Sequence, residues 1–111
     1  MSDGERAERR AGCVGTLGDP GPEAARSFAA DAFERGALLT VFGRCTVSYD
    51  GRATSSLGPG ERLVVSKPDG TTLVHSDAGQ EPVSWLRPGS SRIAGLRDGR
   101  VALVARRESP A

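Results

Sequence analysis

The stretch RLVVSKPDGTTLVHSD, residues 62–77, is the strongest indication of an antiparallel β fold in the sequence. Two runs rich in valine, leucine and threonine flank the sequence Pro68-Asp69-Gly70. Proline presets its own φ and glycine tolerates a positive φ, so this segment predicts two antiparallel strands joined by a tight turn.

Further strands are predicted on both sides of this hairpin. Residues 37–51 are rich in β-branched and aromatic residues and predict one long strand, bent at Gly43. Residues 91–107 predict a second hairpin that turns at Asp98-Gly99. Antiparallel pairing therefore dominates the predicted architecture.

One amphipathic helix is predicted before the strands. Its first turn holds Pro22 and Glu23, apolar residues recur at spacings of three and four, and Gly36 is a natural stop. Segments 51–61 and 78–90 are predicted to be loops. The sum is a mainly β fold with one N-terminal helix: an antiparallel, half-closed β-barrel of about five or six strands.

Length and composition indicate one domain with a tail. The chain has 111 residues, of which 1–20 are rich in charge and glycine and are predicted to be disordered, while 21–111 form the domain. No apolar run approaches the roughly 20 residues of a membrane span, and the N-terminus lacks the apolar segment of a signal peptide. These features predict a cytoplasmic protein, in which Cys13 and Cys45 are free thiols.

The basic residues are almost all arginines. Fourteen of the fifteen basic residues are arginine, and residues 37–111 carry ten basic against seven acidic groups. Arginine binds phosphate through a planar fork and stacks on flat rings. This excess is small, and the simpler interpretation is that these charges keep the surface soluble.

No catalytic constellation is recognisable. Asp69 and Asp98 fall in hairpin turns, where aspartate is favoured for local hydrogen bonds, and His75 has no nucleophile partner in a motif. Trp85 lies between Pro82 and Pro88, which predicts an extended loop. Its ring either packs over the barrel mouth or forms a stacking platform for a nucleobase. Nearby arginines and a lysine favour the second role; they are Arg52, Lys67, Arg87 and Arg92.

Three segments together carry a family resemblance. RCTVSYDGRA (44–53), LGPGERLVVSKPDGTTLVHSD (57–77) and PVSWLRPG (82–89) resemble the N-terminal domain of the NucS/EndoMS family. The resemblance spans roughly residues 36–90. It implies a half-closed barrel that binds DNA and forms much of a homodimer contact, in endonucleases that act on mismatched DNA. A second, RecB-like domain cuts with Mg²⁺ in that family.

The resemblance also implies roles for single residues. Trp85 corresponds to a tryptophan that stacks on flipped bases, and Tyr49 is a candidate for the other face of the same base. Arg44 and Arg52 match basic residues on the DNA side. Flipped bases also need polar groups that read their edges. The residues predicted for that task are Lys67, Asp69, His75 and Asp77.

Two departures from the family pattern qualify the prediction. Ser84 stands where the family usually has asparagine, and the sequence stops at Ala111 before any RecB-like segment. We therefore expect no catalytic residues and no metal site in this chain. In that family Mg²⁺ belongs to the nuclease domain. The predicted partner is mismatched, branched or single-stranded DNA, bound by a homodimer.

Two alternatives stay open from the sequence. One is a protein-interaction module that pairs with full-length nuclease or with a sliding clamp, through an exposed sheet edge and the apolar face of the helix. The other is a complete small Mg²⁺-dependent enzyme, which would depend on Asp69 or Asp77.

Overall fold

The computed structural model describes residues 15–50 and 54–107, which form one helix and six strands. Their bounds are α1 Pro22–Glu34, β1 Leu39–Asp50, β2 Thr54–Ser66, β3 Thr72–Ser76, β4 Ser84–Leu86, β5 Ser90–Arg97 and β6 Arg100–Arg107. The predicted mainly β fold with one helix is confirmed. Most of the predicted disordered tail, residues 1–14, lies outside the described residues.

The strands form two antiparallel sheets. The larger sheet has the order β1-β2-β3-β4, and the smaller one pairs β5 with β6. All four strand pairs are antiparallel, as the hairpin turns predicted. The strands described do not close into one continuous barrel.

The helix begins and ends where the sequence predicted. Gly21 is the N-cap, Pro22 occupies the first turn, and Gly36 follows the helix with a φ of 67°. Ala29 and Ala32 are buried against Leu39 in the core. The apolar helix face therefore packs within the domain, which removes it as the docking surface that one alternative required.

Strand β2 corrects the loop predicted for residues 51–61. It starts at Thr54 and runs through Gly58 and Pro59, where its register with β1 shifts by one residue between Cys45 and Val47. A β-bulge accommodates proline because the extra residue makes no ladder hydrogen bond. The Arg62 guanidinium donates hydrogen bonds to the carbonyl oxygens of Cys45 and Gly58 beside the bulge.

Strand β4 corrects the loop predicted for residues 78–90. Ser84–Leu86 pairs with β3, and Trp85 lies directly opposite Leu73. The strand is only three residues long, and prolines flank it on both sides. Its pairing with β3 fixes the backbone of Trp85, which the sequence had placed on a loop.

The second hairpin turns at Asp98-Gly99, as predicted. Both residues have positive φ, 53° and 73°, and Arg97 pairs with Arg100. A two-residue turn with positive φ at both positions matches the right-handed twist of the strands it joins. This turn sets the register of the whole hairpin.

Arg92 joins the two sheets and the helix. Its Nη1 donates hydrogen bonds to the Ala37 carbonyl at 2.9 Å and to the Ser66 carbonyl at 3.2 Å. The guanidinium carbon lies 4.5 Å from the centroid of the Phe33 ring, a cation–π contact. The sequence had grouped Arg92 with loop residues near a binding surface; it lies instead on β5, half-buried, and holds the fold together.

Gly70 marks a second contact between the sheets. Its φ is 94°, and a Cβ at this position would overlap the backbone oxygen and nitrogen of Ser90. The Gly89 amide also donates to the Asp69 carbonyl at 2.8 Å. The turn between β2 and β3 therefore packs backbone to backbone on the start of β5.

Candidate nucleic-acid interface

The two faces of the four-stranded sheet differ in burial. The inner face carries Leu39, Ser66 and Val74, which are all buried. Side chains alternate along a strand, and directly opposed residues point to the same side, so the register defines the other face. We call that side the outer face; it consists of Thr40, Phe42, Arg44, Glu61, Leu63, Val65, Leu73, His75 and Trp85.

The outer face exposes large apolar side chains. Phe42 is 71% exposed and lies opposite Leu63, which in turn lies opposite His75. Trp85 is 59% exposed and pairs with Leu73 on the neighbouring strand. Neighbouring strands lie about 4.8 Å apart, so Phe42 and Trp85 stand roughly 15 Å apart across the sheet. Two separate rings therefore project from one side of the sheet.

Trp85 is available for stacking. It lies on β4, at the end of the strand order, and its ring is not covered by the domain core. An indole on a short strand costs little conformational entropy to hold in place, because its backbone is already hydrogen-bonded to β3. The position suits a flat partner that approaches from solvent.

The outer face carries balanced charge around these rings. Arg44 is exposed on β1, and Glu61 lies directly opposite it on β2. His75 is half-buried in the neighbouring row. Of the predicted site residues, the sheet thus brings Trp85, Arg44 and His75 onto one face.

Tyr49 lies elsewhere. By the alternation of β1 it belongs to the inner face, near the far end of the β1–β2 hairpin. There it lines a small depression of about 50 Å³ together with Leu57, Val83 and Ser84. Ligand pockets measure about 300–1,000 Å³, so this depression does not enclose a base. Ser84, the residue that departs from the family pattern, faces this depression beside Tyr49.

Lys67 and Asp69 lie in the turn between β2 and β3. The Asp69 carboxylate accepts a hydrogen bond from the Thr71 amide at 2.8 Å. That hydrogen bond, with a smaller contribution from the charge of Lys67, holds the pKa of Asp69 below its usual value. The backbone of Lys67 donates to Thr71 and accepts from Gly70, which closes the turn. Asp69 therefore stabilises the turn through a local hydrogen bond, which is the simpler role that its position in a predicted hairpin turn indicates.

The remaining predicted site residues are Asp77 and Arg52. Asp77 is exposed just beyond the end of β3. Arg52 lies outside the described residues, in the connection between β1 and β2.

Within residues 15–50 and 54–107, no three His, Cys, Asp or Glu side chains come together as a metal site. No helix of the described part is long and apolar enough to cross a membrane.

Sequence reasoning overlooked Phe42 and Leu63. The signal was present, because strict alternation places Phe42 in the same register as Arg44, Thr46 and Ser48. An aromatic residue in the polar register of a half-buried strand is a departure that indicates a surface with a partner.

The fold and this face define a small β domain that exposes aromatic side chains on one side of its larger sheet. Residues 35–111 match the family model described as the endonuclease NucS N-terminal PH-like domain. The chain therefore belongs to the NucS family, and the resemblance drawn from its three segments is confirmed.

Relatives and solved structures agree with this assignment. The chain is 46% identical over 91 residues to endonuclease NucS 2 of Halobacterium salinarum. The aligned region covers 82% of this chain and 36% of that protein. It is 42% identical over 95 residues to endonuclease NucS of Thermococcus kodakarensis, covering 86% of this chain and 38% of that protein. The chain thus spans somewhat more than a third of the length of these relatives.

Two solved structures of EndoMS share the fold. The apo form superposes with a TM-score of 0.75 at 44% identity, over 82% of this chain and 39% of EndoMS. A complex of EndoMS with double-stranded DNA gives a TM-score of 0.72 at 44% identity, over 78% of this chain and 36% of EndoMS.

Proposed function

We propose that this chain is a DNA-binding domain that recognises mismatched, flipped or single-stranded bases. The observation that carries the proposal is the exposed indole of Trp85 on the outer face. Arg44 and His75 lie on the same face, and a solved relative with the same fold is a complex with double-stranded DNA. Cytoplasmic location and a role in mismatch repair are part of this proposal.

The chemistry needs a flat ring and a positive charge. Stacking of one base on an aromatic ring contributes about 1–3 kcal/mol and does not depend on the identity of the base. Arg44 supplies a guanidinium that binds a phosphate, although Glu61 opposite it lowers the local potential. By register Trp85 and Tyr49 lie on opposite faces of the sheet, which does not support a sandwich of one base between them. That sandwich stays an untested prediction.

Binding and stacking can be measured in one experiment. Trp85 is the only tryptophan of the chain, so quenching of its fluorescence reports a stacked base directly. Labelled duplexes with and without a mismatch, and a labelled single strand, are titrated at low salt, where phosphate contacts are strongest. We expect quenching and binding by the wild type, with a preference for mismatched or single-stranded DNA.

Substitution of Trp85 separates base stacking from nonspecific binding. Trp85→Ala should weaken binding about 10- to 100-fold, which corresponds to the loss of one stacked base. Leu38→Ala is the matched control, because Leu38 is 53% exposed but precedes β1 and lies outside the outer face. Absence of DNA binding at low salt, or binding unaffected by Trp85→Ala, would contradict the proposal.

A second candidate function is a protein-interaction module. The exposure of Phe42, with Leu63 beside it, favours association with another chain through the outer face. The partner would be a second copy in a homodimer, full-length nuclease, or a sliding clamp. Sedimentation of wild type and Phe42→Ser at several concentrations tests the homodimer. Association without DNA affinity would favour this function over the first.

A further inference from the structure

The β5–β6 hairpin carries three arginines on one face. Arg97 lies directly opposite Arg100, and Arg106 lies opposite Ser91 on the same side of the hairpin. All three arginines are exposed. We call Arg97, Arg100 and Arg106 the arginine face.

The other side of the same hairpin packs on the helix. Ala94 and Leu103 are directly opposed and contact the core formed with α1. Because side chains alternate, the arginine face points away from α1. Between its arginines lie small or apolar residues, which are Ile93, Gly95, Ala102 and Val104. No long side chain obstructs the space between the arginines.

The charge of this face is not balanced locally. Residues 90–107 contain five arginines and one acidic residue, Asp98 in the turn. Within the described part of the chain, ion pairs join Arg26 to Glu23 and Arg35 to Asp31 on α1, and none joins the arginine face to a carboxylate. Two like charges directly opposed across strands are destabilising. Such an arrangement is favourable when an anion binds between the charges.

We propose that the arginine face binds the phosphate backbone of DNA, as a contact separate from the stacking site at Trp85. The proposal rests on the proposed function, since DNA is the partner in both. Arg100 and Arg106 are six residues apart on β6, which is about 20 Å along a strand. Duplex DNA carries a negative charge about every 1.7 Å of its axis, so arginines at both ends of the hairpin engage separate phosphates.

The arginine fork matches the geometry of phosphate oxygens. Guanidinium groups bind phosphate oxygens in pairs through two parallel hydrogen bonds. Phosphate contacts position a protein on DNA without reading its sequence. The arginine face therefore contributes affinity equally for matched and mismatched DNA, whereas Trp85 contributes preference.

The salt dependence of binding tests this division. DNA affinity is measured by fluorescence anisotropy from low to moderate KCl for the wild type and for the triple variant Arg97→Gln, Arg100→Gln, Arg106→Gln. Removing one arginine–phosphate interaction lowers the slope of log K against log salt by about one, so the triple variant should lose about 2 to 3. Affinity should fall by a similar factor for matched and mismatched duplexes. Trp85→Ala should leave the slope unchanged.

Two control variants isolate the charge of this face. The triple variant with Lys at the same three positions keeps the charge and should retain the slope. The double variant Arg26→Gln, Arg35→Gln removes arginines whose charge is already paired on α1, and it should bind as the wild type does. Circular dichroism melting of every variant identifies any loss of fold.

The outcomes separate this proposal from the proposed function. Wild-type binding with an unchanged slope in a folded glutamine variant overturns the arginine face and leaves the stacking site standing. Loss of slope in that variant, with retention in the Lys variant, supports the proposal even where Trp85→Ala has no effect. Absence of DNA binding by the wild type overturns both. Competition by polyglutamate equal to that by unlabelled DNA at the same charge concentration would show that the face does not distinguish phosphate from carboxylate, and would overturn the assignment to DNA.

Discussion

The four-stranded sheet and the β5–β6 hairpin each cover one face and expose the other, but the exposed faces differ in chemistry. The outer face of the larger sheet presents Phe42 and Trp85, while the hairpin presents Arg97, Arg100 and Arg106. Flat rings discriminate between bases that are available and bases that are paired. Guanidinium groups attract any phosphate. If both proposals hold, base selectivity resides on the larger sheet and phosphate binding on the β5–β6 hairpin of the same small domain.

This division depends on the joint between the two sheets. Gly70 contacts Ser90, and Arg92 donates to the carbonyl of Ala37, between α1 and β1, and to that of Ser66 at the end of β2. If the joint fails, the two surfaces lose their fixed relation.

Substitution at Gly70 should have the largest effect. Gly70→Ala places a Cβ at a φ of 94° and against the Ser90 backbone. Backbone strain and overpacking each cost about 1–3 kcal/mol, so we expect a loss of about 3–5 kcal/mol in the free energy of unfolding. Urea denaturation followed by circular dichroism measures it.

Gly79→Ala is the matched control for the joint. Gly79 has nearly the same φ, 92°, but a Cβ there meets nothing within 4 Å. It should cost only the backbone strain, about 1–3 kcal/mol. Equal losses in the two variants would show that the contact with Ser90 does not hold the sheets together.

Removal of the Arg92 side chain should have the next largest effect. Arg92→Ala removes hydrogen bonds to Ala37 and Ser66 and the cation–π contact with Phe33. Burial lowers the pKa of Arg92 from its ordinary value. A guanidinium is not deprotonated in proteins, so the side chain removed is a cation. We expect about 2–3 kcal/mol less stability in urea denaturation. Arg87→Ala, at an exposed position outside the strands, should change stability by less than about 0.5 kcal/mol. A comparable loss in both variants would contradict the role assigned to Arg92.

The Asp69 turn should give a local, pH-dependent effect. The Thr71 amide lowers the pKa of Asp69, so folding favours the carboxylate. Its contribution to stability is complete above the unfolded pKa of about 3.9 and is lost as the pH falls through the lower folded value. The Thr71 amide proton, followed by NMR from pH 7 to pH 2, should titrate with a midpoint below 3.9, and Asp69→Asn should abolish that titration. A midpoint at or above the unfolded value would refute the hydrogen bond.

The smallest effect is expected at the arginine face itself. Arg97→Thr removes one member of the opposed pair with Arg100 and places a β-branched residue in the strand. Without DNA, stability should rise by about 0.2–1 kcal/mol at low salt, with less gain at high salt. Thermal melts at two KCl concentrations measure it. A loss of stability would show that the arginines support the hairpin rather than serve a ligand.

Local signals predicted much of the fold. Pro22 and Gly36 bounded the helix, and the turns at Pro68-Asp69-Gly70 and Asp98-Gly99 gave both hairpins. These residues act through their own φ or through hydrogen bonds to residues close in the chain, and both are local properties that one sequence displays.

Features that depend on distant partners were not predictable. By themselves, Gly58 and Pro59 indicate a loop. The structure places them in a strand, where Arg62 donates hydrogen bonds to the carbonyl oxygens of Cys45 and Gly58 beside the bulge. The strand at Ser84–Leu86 is too short to show a period, and its pairing with β3 defines it.

The candidate site was predicted in part, for the same reason. Alternation and pairing place Arg44, His75 and Trp85 on one face, but the sequence did not reveal that Phe42 shares it. Tyr49 belongs to the other side of the sheet, because the long β1 strand keeps one alternation along its length. The arginine face follows from the register that the Asp98-Gly99 turn imposes.

Pro59 has a consequence for self-association. In the described strands, β3 covers β2 only from Arg62 onward, so residues 54–61 of β2 form a flank beside β3. Proline offers no amide hydrogen there, and the bulge bends the backbone out of line. Edge-to-edge aggregation needs a straight, unbroken row of backbone N–H and C=O groups, and residues 54–61 do not present one. The bulge thus protects this edge from pairing with the strand of another molecule.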